Sequence, residues 1–149
     1  MVGYAPLRCA GIVSTFLVDS DVVIWAVRRE HGAAQALATV IREDGDLLPA
    51  ISAVTVFEVL QGMRPGSERR HRQVLDQFEC LPVTGELAAM AAAMVREHRA
   101  QGRQLNMGDA LIAATAATGK LTLVTYNRRH FEPLGVPLYE HLPPLGVEG

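Results

Sequence analysis

Four acidic residues stand in otherwise apolar surroundings. Asp19 and Asp21 follow the run STFLV, Glu58 lies inside AVTVFEVL, and Asp109 opens MGDALIAATA. An unpaired carboxylate removed from water loses several kcal/mol of solvation, so acids in such segments need a compensating partner. A cation is the natural one. Oxygen donors without a Cys or His arrangement point to Mg²⁺ or Mn²⁺, with waters completing the coordination shell. Such a centre suits in-line attack on a phosphodiester. The ion acidifies a bound water, which becomes the nucleophile near neutral pH, and neutralises charge growing on the phosphate oxygens; a second ion could serve the leaving oxygen. Without the ion, crowded carboxylates would titrate abnormally high. Each acid also has a structural alternative. Asp19 or Asp21 could be a helix N-cap, Asp109 a first-turn acid favoured by the helix dipole, and Glu58 the partner of a surface Arg.

The elements that must position these acids alternate. Ser14–Val18 reads as a buried strand ended by Asp19. A helix follows over residues 22–30, capped by Ser20 or Asp21 and ended by Gly32, and a second over 33–43 before the turn Asp44-Gly45-Asp46. Leu47–Ile51 reads as the second strand, with Ser52 capping a helix that carries Glu58. Val74, Leu75 and Phe78 have helical spacing within 68–78. Leu81–Val83 is a brief strand, and Thr84 caps an Ala- and Met-rich helix to residue 101. Residues 106–118 form a nearly all-apolar helix closed by Gly119, and Leu121–Thr125 is a further strand. The proline-rich tail offers at most an edge strand near Val136–Tyr139. Alternating strands and helices imply an α/β fold, with a parallel sheet of four to five strands flanked by helices in three layers. Ligands of such sheets bind at the carboxyl ends of the strands, where Asp19 falls.

A chain of 149 residues is one domain's length. We read residues 1–149 as one domain, with 1–13 an N-terminal extension and 140–149 a loose tail. Hydrophobic residues are 49% and charged residues 20% of the chain, which excludes a disordered chain. The net charge of −2 is low for a purely nucleic-acid-binding module, although an acidic metal site lowers the total. Cys9 and Cys80 form no CxxC pair and read as reduced, buried thiols of a cytoplasmic protein. The apolar run Cys9–Val18 has roughly signal-peptide length but no small-residue cleavage site after it. No stretch approaches the ~20 apolar residues of a membrane span. Gly119-Lys120 is no phosphate-binding loop, since Leu follows the lysine and Ala114 occupies the required first glycine position.

The segments LVDSDVVIW (Leu17–Trp25), SAVTVFEVLQG (Ser52–Gly62), GDALIAATA (Gly108–Ala116) and TYNRRHF (Thr125–Phe131) together resemble the signature blocks of PIN-domain proteins, and most of all the VapC-type toxins of prokaryotic toxin–antitoxin pairs. The resemblance spans nearly the whole chain in order. It implies a PIN-like fold, Mg²⁺- or Mn²⁺-dependent endoribonuclease activity, a homodimer, and inhibition by a small cognate antitoxin. By this resemblance Asp19, Glu58 and Asp109 are the metal acids. Ser20 matches a hydroxyl position and Thr125 a small hydroxyl residue lining the site. Relatives often carry a further Asp at the position of Asn127 or of His130. Here Asn127 would ligate through its carbonyl oxygen or hold a metal-bound water, His130 would contact phosphate or relay a proton, with a structural histidine as the alternative, and Asp21 would compensate.

Arg128 and Arg129, next to the expected site, are the candidates for RNA binding, with His130 beside them. Arg64, Arg69, Arg70, His71 and Arg72 form a second basic run, read either as part of a positive rim or as a solvated helix face. Trp25 and Phe57 are candidates for an antitoxin-facing surface, with core packing as the alternative. Two rival functions remain. One is a PIN-like binding module that has lost its metal. The other is a haloacid dehalogenase-type phosphatase using Asp19-Ser20-Asp21 as its DxD motif, which predicts that Glu58→Ala is mild.

Overall fold

The computed structural model describes residues 14–144. The N-terminal extension of residues 1–13, with Cys9, and the last five residues of the tail lie outside the described residues. Four short strands, β1 (Phe16–Val18), β2 (Ala50–Ser52), β3 (Glu79–Leu81) and β4 (Thr122–Val124), form one parallel sheet in the order β3-β2-β1-β4. Side chains alternate across a strand. Val18, Ile51, Cys80 and Val124 therefore face one core, and Leu17, Ala50 and Leu123 the other.

The first core is covered by α1 (Ser20–Arg28), α2 (Ala33–Glu43), α3 (Ala53–Gln61) and α4 (Glu68–Leu75), through Val22, Val23, Leu37, Val40, Val59 and Val74. The second is covered by α6 (Met107–Gly119) and the short α7 (Arg128–Phe131), through Ile112, Ala113, Ala116 and Phe131. Helix α5 (Gly85–Ala100) packs outside α6 through Leu87 and Ala91 against Ala110 and Ala114. Alanine on both sides lets the two helices approach closely. The result is the expected three-layer α/β sandwich. Among the described residues no helix is long and apolar enough to cross a membrane.

Several boundaries differ from the sequence reading. Of the cap residues considered, Asp19 is the N-cap of α1 and Ser20 and Asp21 are not, the Asp19 side chain accepting from the Ser20 amide. Helix α1 ends at Arg28, with Arg29 in the left-handed conformation (φ 58°). Gly32 (φ 68°) starts α2 instead of closing α1. Lys120 (φ 52°), not Gly119, is the left-handed cap of α6. Leu47 and Leu48 precede β2, and β3 begins two residues before the expected Leu81. The anticipated edge strand is a single parallel bridge, Leu123 to Leu138, where the Leu123 amide donates to the Pro137 carbonyl and the Tyr139 amide to the Leu123 carbonyl (2.8 Å each). Cys80 is buried as expected.

The connections β1 to β2 to β3 run outward on the first face, and β3 returns to β4 through α5 and α6 on the other. The adjacent pair β1 and β4 is therefore the point at which the winding reverses, where open α/β sheets form their ligand crevice.

Candidate active site

The in-register pairing of Val18 with Val124 sets Asp19 and Thr125 one step beyond, side by side at the carboxyl ends of neighbouring strands. Thr125 Oγ1 donates to Asp19 Oδ2 (2.7 Å), while Asp19 Oδ1 accepts from the Ser20 amide (2.8 Å). Thr125 Oγ1 in turn accepts from the Asn127 amide (2.9 Å). One residue on, the Tyr126 amide donates to Asp21 Oδ2 (3.0 Å) and the Val22 amide to Asp21 Oδ1 (2.8 Å). Asp19 thus caps a helix and lies in the crevice at once; the two readings of this residue do not exclude each other.

Asp109 arrives from the first turn of α6. Asn106, the N-cap, accepts from the Asp109 amide (2.8 Å), and its Nδ2 donates to Asp109 Oδ2 (2.9 Å). His130 Nδ1 lies 3.0 Å from the same oxygen. Glu58 reaches in from α3, one helical turn past Thr55, which accepts a bond from Ser20 Oγ (3.0 Å). Gly108 admits this approach: a Cβ there would stand 3.2 Å from Glu58 Oε1 and 3.4 Å from Asn106 Oδ1.

The carboxylates feel one another. Burial foremost, and the Asp109 charge in part, raise Asp19 above the ordinary carboxylate range despite its donors Thr125 and Ser20. Burial and the Asp19 charge push Asp21 up to about 7. Burial, then Asp19 and Asp109, raise Glu58. Among the described residues none of the four acids pairs with Lys or Arg; only Asp109 meets a group that can carry positive charge, His130. Nor are three His, Cys, Asp or Glu side chains among them gathered tightly enough to enclose an ion by themselves. The donor set nevertheless fits a divalent cation in an open, partly hydrated setting. It is all hard oxygen and negatively charged, partly desolvated, and among the described residues meets no cationic group other than His130.

The remaining candidates divide. Asn127 and His130 are exposed beside the acids. Arg129 is exposed, but Arg128 is held: its Nη1 donates to the Tyr139 carbonyl (3.0 Å), and its Nε lies 3.6 Å from Glu132 Oε1. The second basic run is not a continuous rim. Arg64, Arg69 and Arg72 are exposed. Arg70 donates to the Val27 and Ala26 carbonyls at the end of α1, and buried His71 lies 2.8 Å from the Ser67 carbonyl through Nδ1. Trp25 is half-buried and packs on the first core. Phe57 is 66% exposed, against the core reading. Thr55, Asn106 and Gly108 escaped the sequence reading as site residues. Asn106 had a visible signal, an N-cap residue three positions before an acid; the other two had none.

The PIN domain family model matches residues 16–135. The chain is 40% identical over 134 residues to "Ribonuclease VapC10" of Mycobacterium tuberculosis, covering 89% of this chain and 95% of that protein. Among solved structures, it matches a chain of "Toxin-antitoxin complex from Klebsiella pneumoniae" at 27% identity and a TM-score of 0.67, over 83% of this chain and 95% of that one. The fold is also shared with a chain of DNA-bound VapBC from Salmonella typhimurium at 21% identity and a TM-score of 0.72, over 86% and 98% of the two chains.

Proposed function

This chain belongs to the PIN domain family, and on that premise we propose that it is a metal-dependent endoribonuclease, the toxin of a toxin–antitoxin pair. The observation that carries the reading is the group of carboxylates at the reversal point of the sheet, which among the described residues has no Lys or Arg partner. Asp19, Glu58 and Asp109 would hold Mg²⁺ or Mn²⁺, with Asp21 and Asn127 beside them. When bound, the ion would supply Lewis acidity toward phosphate and a water acidic enough to attack near neutral pH.

The chain's own residues supply orientation and proton handling. Thr125, clamped between the Asn127 amide and Asp19, holds that carboxylate in one rotamer. Asn106 does the same for Asp109. Such outer partners raise the precision of a site at little entropic cost. His130 uses Nδ1 toward Asp109, which leaves Nε2 for phosphate or for the proton of the leaving oxygen. Arg129 would meet the phosphate backbone, giving salt-sensitive binding of low sequence preference.

The partner is a small cognate antitoxin, consistent with the complexes in which structural neighbours occur. Exposed Phe57, adjacent to Glu58 on α3, is a suitable anchor for it. The same reading includes a homodimer, which the resemblance to the family implies. The phosphatase reading has no counterpart in a family match that covers both Asp19 and Glu58.

The test is incubation of the purified chain with transfer and ribosomal RNA, with and without Mn²⁺, beside Asp19→Asn. Metal-dependent cleavage lost in the variant is expected. RNA left intact with every divalent ion, in a chain that also binds none by calorimetry, would favour the metal-free binding module instead.

A further inference from the structure

A cavity of about 260 Å³ opens beside the carboxylates, bounded by Thr125, Tyr126, Arg128, Tyr139, Glu140 and Leu142. It shares a wall with the acid site, because the Thr125 hydroxyl holds Asp19 and the Tyr126 amide holds Asp21. We infer that this cavity is a nucleobase pocket for one unpaired guanine of the RNA strand, flanking the phosphate at the acids; the inference rests on the nuclease reading above.

Its two tyrosines are anchored by contacts outside the cavity. The Tyr126 ring leans on Trp25 (centroids 5.3 Å apart), and its hydroxyl donates to the Pro143 carbonyl (3.0 Å). Tyr139 donates to Glu43 Oε2 (2.6 Å) and sets its edge against Phe16. Tyr139 is buried and closes the floor, so the half-buried Tyr126 ring is the one that meets a base, and an anchored ring favours stacking because little side-chain freedom is lost on binding. The volume lies below the roughly 300–1,000 Å³ of drug-sized sites, which suits one ring system and not a dinucleotide.

Polar lining selects the base. Arg128 is held at the cavity by its Nη1 bond to the Tyr139 carbonyl and by Glu132, with N–H groups to spare, whereas Arg129 is exposed. Glu140 is exposed and, among the described residues, has no cationic partner. A carboxylate repels phosphate but accepts two parallel N–H donors. Guanine alone among the RNA bases presents such a pair, N1–H and N2–H, on one edge, and its O6 and N7 accept from arginine.

The experiment uses the full chain without metal, observed by amide chemical shifts during titration with the four nucleoside 5′-monophosphates. The phosphate is common to all four, so differences report the base. Guanosine monophosphate is expected to cause saturable shifts at the Tyr126, Glu140 and Leu142 amides, with roughly fivefold tighter binding than the other three. Glu140→Gln is expected to remove that advantage, and Leu142→Glu to remove the shifts; both spectra also report whether the variants are folded. Absence of saturable shifts at these amides, or a guanosine preference undiminished in Glu140→Gln, overturns the pocket. Because no cleavage is read, a chain that cuts RNA but shows no such shifts loses only the pocket. A chain that takes guanosine monophosphate there yet cuts nothing loses the nuclease reading instead.

Discussion

Strand β1 has an aspartate at each end, and the two have opposite fates. Before its first residue, Asp44 accepts from the Ser14 hydroxyl, the Thr15 amide (2.9 Å) and the Thr15 hydroxyl (3.0 Å). Burial pulls its pKa up, but these three donors outweigh it and hold the carboxyl below the ordinary range. Past the last residue, Asp19 also has good donors, yet burial and the charge of Asp109 leave it raised. Asp44 has three donors to Asp19's two, but the larger difference lies in water and in like charges. Asp44 ties α2 to the strand and gains from being ionised, whereas Asp19 is costly when ionised and waits for positive charge. The first is an investment in stability and the second one in chemistry.

The largest expected effect separates the two by activity. We predict that Asp19→Asn lowers RNA cleavage at least roughly 100-fold, since loss of even an outer partner of a metal site costs about 10–100-fold. Metal-free Asp19→Asn should be no less heat-stable than the parent. A variant that keeps its cleavage rate would break the comparison.

Next in size is the response to the ion. At about 100 times its dissociation constant, Mn²⁺ or Mg²⁺ should stabilise the parent by about 2.7 kcal/mol, a rise of about 5–10 °C in melting temperature for a chain of this length. A chelator should reverse it, and Asp19→Asn should abolish it. An unchanged melting temperature in the parent would remove the proposed cation.

A smaller effect concerns pH in the metal-free protein. Asp21 is raised from 3.8 to about 7, so the folded state holds its proton more tightly than the unfolded chain. Its contribution to stability is complete below about pH 4 and is lost as pH rises through about 7. Thermal scans should therefore show a lower melting temperature at pH 8 than at pH 5.5, with a flatter dependence in Asp21→Asn. Asp44 has the opposite sign: its contribution is present above its ordinary pKa of 3.8 and fades only as pH falls through its lowered value. The reverse slope between pH 5.5 and 8 would contradict the assignment of Asp21.

The smallest effect is that of Asp44→Asn. The amide keeps one of the two accepting oxygens, replaces the other with a donor and loses the charge, so about 1 kcal/mol or a few °C should be lost, with cleavage unchanged. A loss of activity matching that of Asp19→Asn would mean that both ends of β1 serve the site.

Much of this arrangement was legible before any coordinates. Ser52 and Thr84 cap α3 and α5, their side chains accepting from the Val54 and Leu87 amides, because capping is a relation between residues two or three positions apart. The breaker residues misled. Gly32 and Gly119 read as stops, yet the chain turned one residue from Gly119 and three before Gly32, with Lys120 and Arg29 accepting positive φ. The basic run around Arg70 looked continuous in one dimension, but a helix distributes neighbours around its axis. Arg70 consequently turned to the end of α1 while Arg69 and Arg72 stayed in solvent.

The chain's own order of residues determined the alternation of strand and helix, the parallel sheet, and which four acids sit in apolar segments, since periodicity, caps and composition act over a few positions. Only the folded structure decided how those acids differ. Thr125 meets Asp19 across 106 positions, and Tyr126 meets Asp21 across 105. Burial and the distance between like charges exist only once distant strand ends lie side by side, and those two quantities set the energies here.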